Sequence, residues 1–395
     1  MQDSVQRVPA TLKSTHSKFS PAINVRQLCF FSAFILPAFR FLETPAFLSS
    51  YALGDLLLPA ILHFSIQSLP IIALLFLVSK TKNGLFPLIK RKLGKVGSRI
   101  FYAVLAAYYL FSVLLPVLDL EKYVHSAFFD TAPSMFSLTP FFLLSGFICA
   151  QRLRSLGRIA DLCCPIFLIG FFGLVATSIA KTDFEAMLPW FEFPIEKIAL
   201  ATKSTTAHFS DGILFLPLLG DYRYQKGDGK KVLGAYWLGN GFCLLFFACF
   251  YGLFTSIAPT QHYALTKIGQ YFSALQTIGR ADLLFSYLLT IVLLFNVTLP
   301  IQFSTLCLSK AFGQDGDSLG KCKTTTSFTV NAGLFLFAFF CNRFYDSLYL
   351  FFSKSLWWIF PVFSVLLPLL SLFLLLGDKR KNSKHSSLKE RNYAY

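Results

Sequence analysis

Ten apolar runs separated by short polar or basic loops constrain this chain more than any other feature. They fall at about 28–48, 56–78, 100–118, 135–150, 159–179, 198–220, 232–258, 282–308, 325–341 and 355–376. Most approach the roughly 20 apolar residues that cross a bilayer as a helix; the fourth and ninth are short. The pattern predicts an all-α polytopic membrane protein of about ten transmembrane helices. Composition agrees. The 395 residues are 55% hydrophobic and 17% aromatic, with 47 Phe, and only 14% are charged. A soluble chain averages about 25% charged. The expected organisation is a polar cytoplasmic tail over 1–27, one integral domain over 28–376, and a basic cytoplasmic tail over 377–395. The polar start lacks the apolar core and small-residue cleavage site of a signal peptide.

The net charge is +16. Its distribution argues against nucleic acid, since no basic fold motif accompanies it. Of the 36 basic residues, 27 lie in the loops and two tails of one side, eight lie on the other side, and Arg40 lies inside the first run. Such a bias marks the cytoplasmic side. It predicts both termini in the cytoplasm, which an even number of spans satisfies. The inner loop Gly84 to Gly97 reads as a basic amphipathic helix on anionic lipid. Gln261 to Gly279 reads as an outer-face helix, either a lid or a surface element packed on the bundle.

Two of the runs are interrupted. The first carries Pro37, Arg40 and Glu43; the sixth has Ser210-Asp211-Gly212 ahead of a short apolar stretch, Ile213 to Leu219. Interrupted segments at matching places in two halves of a chain point to a transporter-type binding site. Pro37 removes a backbone donor, so it either kinks the helix or frees carbonyls for a ligand ammonium or a cation. Arg40 lies about 20 Å past Arg26 along a helix, in a core about 30 Å thick. Glu43, three residues on, would share its face and pair with it; the alternative is that Arg40 faces a ligand. Asp211 lies about 18 Å from the inner loop, near mid-membrane. Its favoured role is to cap the short helix that follows. The N-terminus of that helix also suits a carboxylate.

No P-loop, HExxH or GxSxG motif is present. The six His are scattered, and the nine Cys have no zinc-ligand spacing. Catalysis, a bound metal and a cofactor are therefore not expected, and the Cys read as small buried apolar residues.

From about Ile23 to Leu376 the chain resembles the spore germination permeases, the B subunits of nutrient germinant receptors in endospore-forming bacteria. INVRQLCFFSAFIL and YALGDLLLPAIL look like the family's start. LFPLIKRKLGKVG, SLGRIADLCCPIFL and TIGRADLLFSYLLT resemble its later segments in order and spacing. The family belongs to the amino acid/polyamine/organocation transporter superfamily. The resemblance implies a LeuT-like 5+5 inverted repeat, about 28–179 and 198–376, with discontinuous helices 1 and 6. It implies a ligand between Leu36-Pro37-Ala38-Phe39-Arg40 and Ser210-Asp211-Gly212. The opposing wall would be Tyr108 and Tyr109 on helix 3 and Ser286, Tyr287 and Thr290 on helix 8. The chain departs from the family in having Pro37 to Arg40 where small, glycine-rich residues are usual, and Gly279 where an acid is usual.

The resemblance thus implies a receptor subunit in the spore inner membrane that senses a small nutrient such as an amino acid and triggers germination. Its implied partners are the receptor A and C subunits. Two alternatives stand beside it: a proton- or cation-coupled transporter of amino acids or small solutes, and a structural subunit whose pocket binds nothing.

Overall fold

The computed structural model describes residues 23–81, 84–128, 134–151, 153–188, 191–271, 281–313 and 319–372. Most of the tail expected over 1–27 lies outside the described residues. So do the tail expected over 377–395 and the second half of the outer segment at 261–279.

All regular structure among the described residues is helical. Among the described residues six helices are long and apolar enough to cross a membrane. They are Leu57–Ser79, Leu85–Phe128, Leu153–Ile179, Asp228–Thr260, Leu284–Ala311 and Thr324–Lys354. A seventh span results if Val25–Phe41 and Thr44–Asp55, bent by 64° at a short break, count as one. The first, fourth, sixth and tenth of the expected runs therefore differ from plain spans. The first is the bent pair, and the fourth and tenth are the shorter helices Leu138–Ala150 and Ile359–Leu372. The sixth is divided between two short helices, Ile195–Ser204 and Asp211–Leu218.

In chain order we label Val25–Phe30 α1, Thr44–Ala52 α2, Leu57–Ser79 α3, Leu85–Phe128 α4 and Ser134–Ala150 α5. Leu153–Ile179 is α6, Ile195–Ser204 α7, Asp211–Leu218 α8, Asp228–Phe254 α9 and Ala264–Tyr271 α10. Ala281–Ala311 is α11, Leu319–Cys341 α12 and Tyr345–Lys354 α13. α11 packs against α4, α5, α6 and α12, while α3 and α9 flank the broken elements.

The outward faces of α5, α6 and α12 are apolar. Leu143, Leu144, Phe147, Ile169, Phe172, Leu336, Phe339 and Phe340 are all exposed. A soluble monomer rarely exposes apolar surface on this scale; hydrocarbon covers it without cost. Inside, phenyl rings fill the space between helices. Phe41 lies 4.6 Å from Phe246, and Phe167 stacks on Phe171 at 5.5 Å, centroid to centroid. Part of the high Phe content is thus spent on packing around the first bent segment.

α4 is two helices joined at Gly94, whose φ of 69° lies in the left-handed region that favours glycine. The short first part buries Leu85, Phe86 and Leu88 and exposes Lys90 and Arg91. This is the amphipathic division expected of the basic loop. The Gly94 break lets that part turn away from the long helix that follows.

Candidate functional site

The first segment breaks in stages. α1 runs into a π-helical turn at Phe31–Ile35, then a 3-10 turn at Ala38–Phe41. Pro37 sits between them and donates nothing to the ladder. Three carbonyls next to the break have protein partners. The Asn296 side-chain amide of α11 donates to Ile35 O at 2.7 Å and Leu36 O at 3.2 Å. Pro37 O accepts from the backbone N–H of Arg40 at 3.0 Å.

Arg40 leaves this turn toward the other broken segment. It is 1% exposed. Its guanidinium forms an ion pair with the Asp211 carboxylate and donates to Asn240 Oδ1 at 3.2 Å and to the His208 carbonyl at 3.4 Å. Phe64 and Phe209 hold its flat face, with centroids 5.1 and 5.0 Å away, a cation–π arrangement. Tyr236 donates its hydroxyl to Asp211 at 2.9 Å. Tyr236 and Asn240 are four residues apart on α9 and so face the same way.

Two expectations are corrected here. Arg40 does not pair with Glu43, because the chain bends between them and breaks the helical i, i+3 adjacency. Glu43 instead meets His262 at 3.0 Å. Nor does Asp211 cap its own helix. Ser210 is the N-cap and makes no side-chain cap bond, while the Asp211 carboxylate is turned toward Arg40 and Tyr236. The guanidinium offers the carboxylate a full opposite charge, which a backbone N–H does not. The next amide, Gly212 N–H, donates to Gln67 Oε1 at 3.0 Å, and Gln67 in turn donates to Ser364 at 3.1 Å. A Cβ on Gly212 would come within 2.5 Å of the Ser364 carbonyl oxygen, so only glycine allows α8 this close.

Beside the ion pair lies a cavity of about 70 Å³. One ordered water needs about 10–15 Å³ by this measure, so the space suits a ligand of a few heavy atoms. Leu36, Phe39, Arg40, Tyr108, Ser210 and Asp211 line it, together with His208, Ser112, Asn296 and Pro300. Tyr108 is buried with its hydroxyl beside Ser210. Tyr109 supports the site from behind by donating to Ile213 O in α8 at 2.8 Å. Pro37, Ala38 and Gly212 shape the two breaks without lining the cavity.

The three residues expected from α11 lie elsewhere. Ser286 is bonded to Leu265 O at 3.4 Å, and Thr290 to the Tyr123 hydroxyl at 2.7 Å. Tyr287 is exposed. The part of α11 that reaches the cavity is Asn296 to Pro300, about 15 Å further along the helix axis. An amide four residues before a proline in an apolar run was the available signal for it. His208, Tyr236, Asn240 and Gln67 also escaped sequence reading. Each is a polar residue within or beside an apolar run, and only the fold gives it a partner.

Charge outside the spans behaves differently. The His262 imidazole is raised above its ordinary 6.5, chiefly by its hydrogen bond to Glu43.

A family model described as spore germination protein matches residues 58–342, most of the chain. The match takes in Asp211, Tyr236 and Asn296 but begins after Arg40. Comparison with curated proteins gives no match.

Proposed function

The chain belongs to the spore germination protein family, and from that premise we propose that it is the membrane subunit of a germinant receptor that senses a small nutrient, such as an amino acid. The carrying observation is the meeting of two interrupted apolar segments across an internal ion pair, Arg40 with Asp211, beside a cavity sized for a few heavy atoms. Such breaks are tolerated at membrane depth where they line a cavity. The ten apolar runs are then two inverted repeats of five, 28–179 and 198–376, with both termini cytoplasmic in the spore inner membrane. Leu36, Phe39, Arg40, Tyr108, Ser210 and Asp211 are the proposed ligand contacts.

Sensing requires that the ligand prefer one of two states. Arg40 and Asp211 satisfy each other and bolt the first segment to α8. A small dipolar nutrient offers each of them a new partner, loosens that bolt and lets the two segments move against α4 and α11. The A and C receptor subunits would read that movement.

The test is germination of spores that lack this chain and are complemented with it. Arg40→Gln and Asp211→Asn should each abolish the response to the nutrient that the wild-type chain restores, with the protein still present in the membrane. If both variants germinate with unchanged nutrient dependence, the sensing reading fails. Uptake of labelled nutrient by vesicles holding this chain alone would instead favour the transporter reading.

A further inference from the structure

A cavity of about 50 Å³ lies between α3, α8 and the two parts of α4. It is several times the size of a single-water site, which takes about 10–15 Å³. Leu77 of α3, Leu216 of α8 and Phe101 of the long part of α4 form three sides, and the first part of α4 forms the fourth. There Leu85, Leu88, Ile89 and Lys92 line it, at spacings of three and four that place them on one helix face. Apart from Lys92 and Ser371 the walls are apolar. This first part of α4 is pinned at its start. The backbone N–H groups of Leu85 and Phe86 donate to Leu219 O at 3.2 Å and Gly220 O at 2.9 Å, just past the end of α8. At the Gly94 elbow the surroundings are open, and a Cβ there would meet no atom within 4 Å.

The lining has the polarity of an amphiphile. Leucine and isoleucine run along it, and Lys92 stands at the end nearest the elbow. Lys90, Arg91 and Lys95, its neighbours in sequence, are exposed. No Asp or Glu occurs from Gly84 to Leu118, so the charge of this stretch is wholly positive. Asp221 lies at the opposite end, beside Gly84, and is countered by Lys310. An acyl chain gains from each methylene it buries, and an anionic head group gains from the basic residues. A soluble phosphate would gain nothing from the leucines, and an uncharged lipid nothing from the lysines. A helix of a partner protein, about 10 Å across, is too wide. Val104, one turn beyond Phe101, is exposed and carries the apolar surface on for the rest of a chain.

We propose that this groove binds one anionic phospholipid. An acyl chain lies along Leu85, Leu88 and Ile89, and the phosphate meets Lys92 and Lys95 at the Gly94 elbow. The basic stretch then does more than rest on a charged surface: it forms one wall of a defined site. Because Leu216 belongs to α8, the seated chain packs against the short helix that carries Asp211. The site stands whether or not the Arg40 cavity senses a nutrient.

The test titrates the full chain, delipidated in detergent, with palmitoyl-oleoyl phosphatidylglycerol or with phosphatidylcholine of the same chains, and counts bound lipid by native mass spectrometry. One phosphatidylglycerol should bind at concentrations where phosphatidylcholine does not, and excess sn-glycerol 3-phosphate should not displace it. Ile89→Trp, which fills the groove, should weaken that first binding event about tenfold or more. Lys92→Gln/Lys95→Gln should weaken it by a similar factor, since each basic residue near an anionic lipid contributes about fivefold. Lys226→Gln/Lys230→Gln, two exposed lysines outside the groove walls, should bind as wild type does. Equal affinity for the two lipids overturns the proposal, as does displacement by glycerol phosphate. Wild-type affinity in Ile89→Trp or in Lys92→Gln/Lys95→Gln overturns it too, as does an equal loss in the Lys226/Lys230 variant, which would mean attraction to charge in general. If Ile89→Trp does not fold, the Lys92/Lys95 variant measured against the Lys226/Lys230 variant decides.

Discussion

Arg40 and Glu43 are three residues apart in sequence and carry opposite charges, yet the fold separates them and treats them differently. Arg40 turns inward to Asp211, and the two side chains are 2% and 5% exposed. Glu43 turns to His262, whose side chain is 59% exposed. The inner pair is dry and joins two broken segments. The other pair is open on the His262 side and joins the start of α2 to the loop before α10. A bend of the chain, rather than any difference in residue chemistry, decides which charge becomes a fully buried cross-link and which meets an exposed, titratable histidine.

The difference sets the size of what each pair contributes. Breaking a buried pair by removing one partner costs about 3–5 kcal/mol, because the other charge is stranded. Asp211→Asn should therefore lower the apparent melting temperature in nanodiscs by many degrees. The double variant Arg40→Met/Asp211→Leu should recover most of that loss, since it strands no charge. A double variant as unstable as the single one would show that the pair is not the reason for the loss.

Tyr236→Phe is the next largest. It removes one hydroxyl from the Asp211 carboxylate while leaving Arg40 in place, and a bond to a charged group contributes about 1.5–3 kcal/mol. Thermal unfolding should place it between Asp211→Asn and wild type. A variant as stable as wild type would mean that Arg40 alone satisfies Asp211.

Glu43→Gln should be the smallest: Glu43 is buried, but its partner His262 is largely exposed and the glutamine amide can still bond the imidazole, so the loss should stay near about 1 kcal/mol. It should also change the pH dependence. The folded-state pKa of His262 is raised above 6.5, so protonated His262 contributes stability that is fully present below about pH 6.5 and is lost as pH rises through the higher folded value. Apparent melting temperature should thus fall as pH is raised from 6.5, and Glu43→Gln should flatten that slope. The Arg40 contact should give no such slope, because arginine stays charged throughout. A slope that persists in Glu43→Gln would have to come from another group.

Much of the site was legible before folding. Pro37, Arg40 and Ser210-Asp211-Gly212 mark the two breaks by composition alone, since each puts a helix-breaking or charged residue where hydrocarbon would surround it. Tyr108, expected as wall, lines the cavity. The partners were not legible. Arg40 and Asp211 lie 171 residues apart, and no local spacing relates them, whereas the i, i+3 rule suggested Glu43. On α11 the choice of Ser286, Tyr287 and Thr290 presumed where the helix crosses the cavity; its packing against α4 brings Asn296 and Pro300 there instead.

The sequence by itself determined that this chain is helical and belongs in a membrane, and where its helices are interrupted. Apolar runs of bilayer length leave the backbone few ways to satisfy its polar groups, and proline, glycine and buried charge override helical continuity locally. Tertiary structure decided what the interruptions meet: which carbonyls Asn296 holds, and that Asp211 answers Arg40 rather than its own helix. Those outcomes depend on which sides of distant helices meet, a matter of packing that no periodicity records.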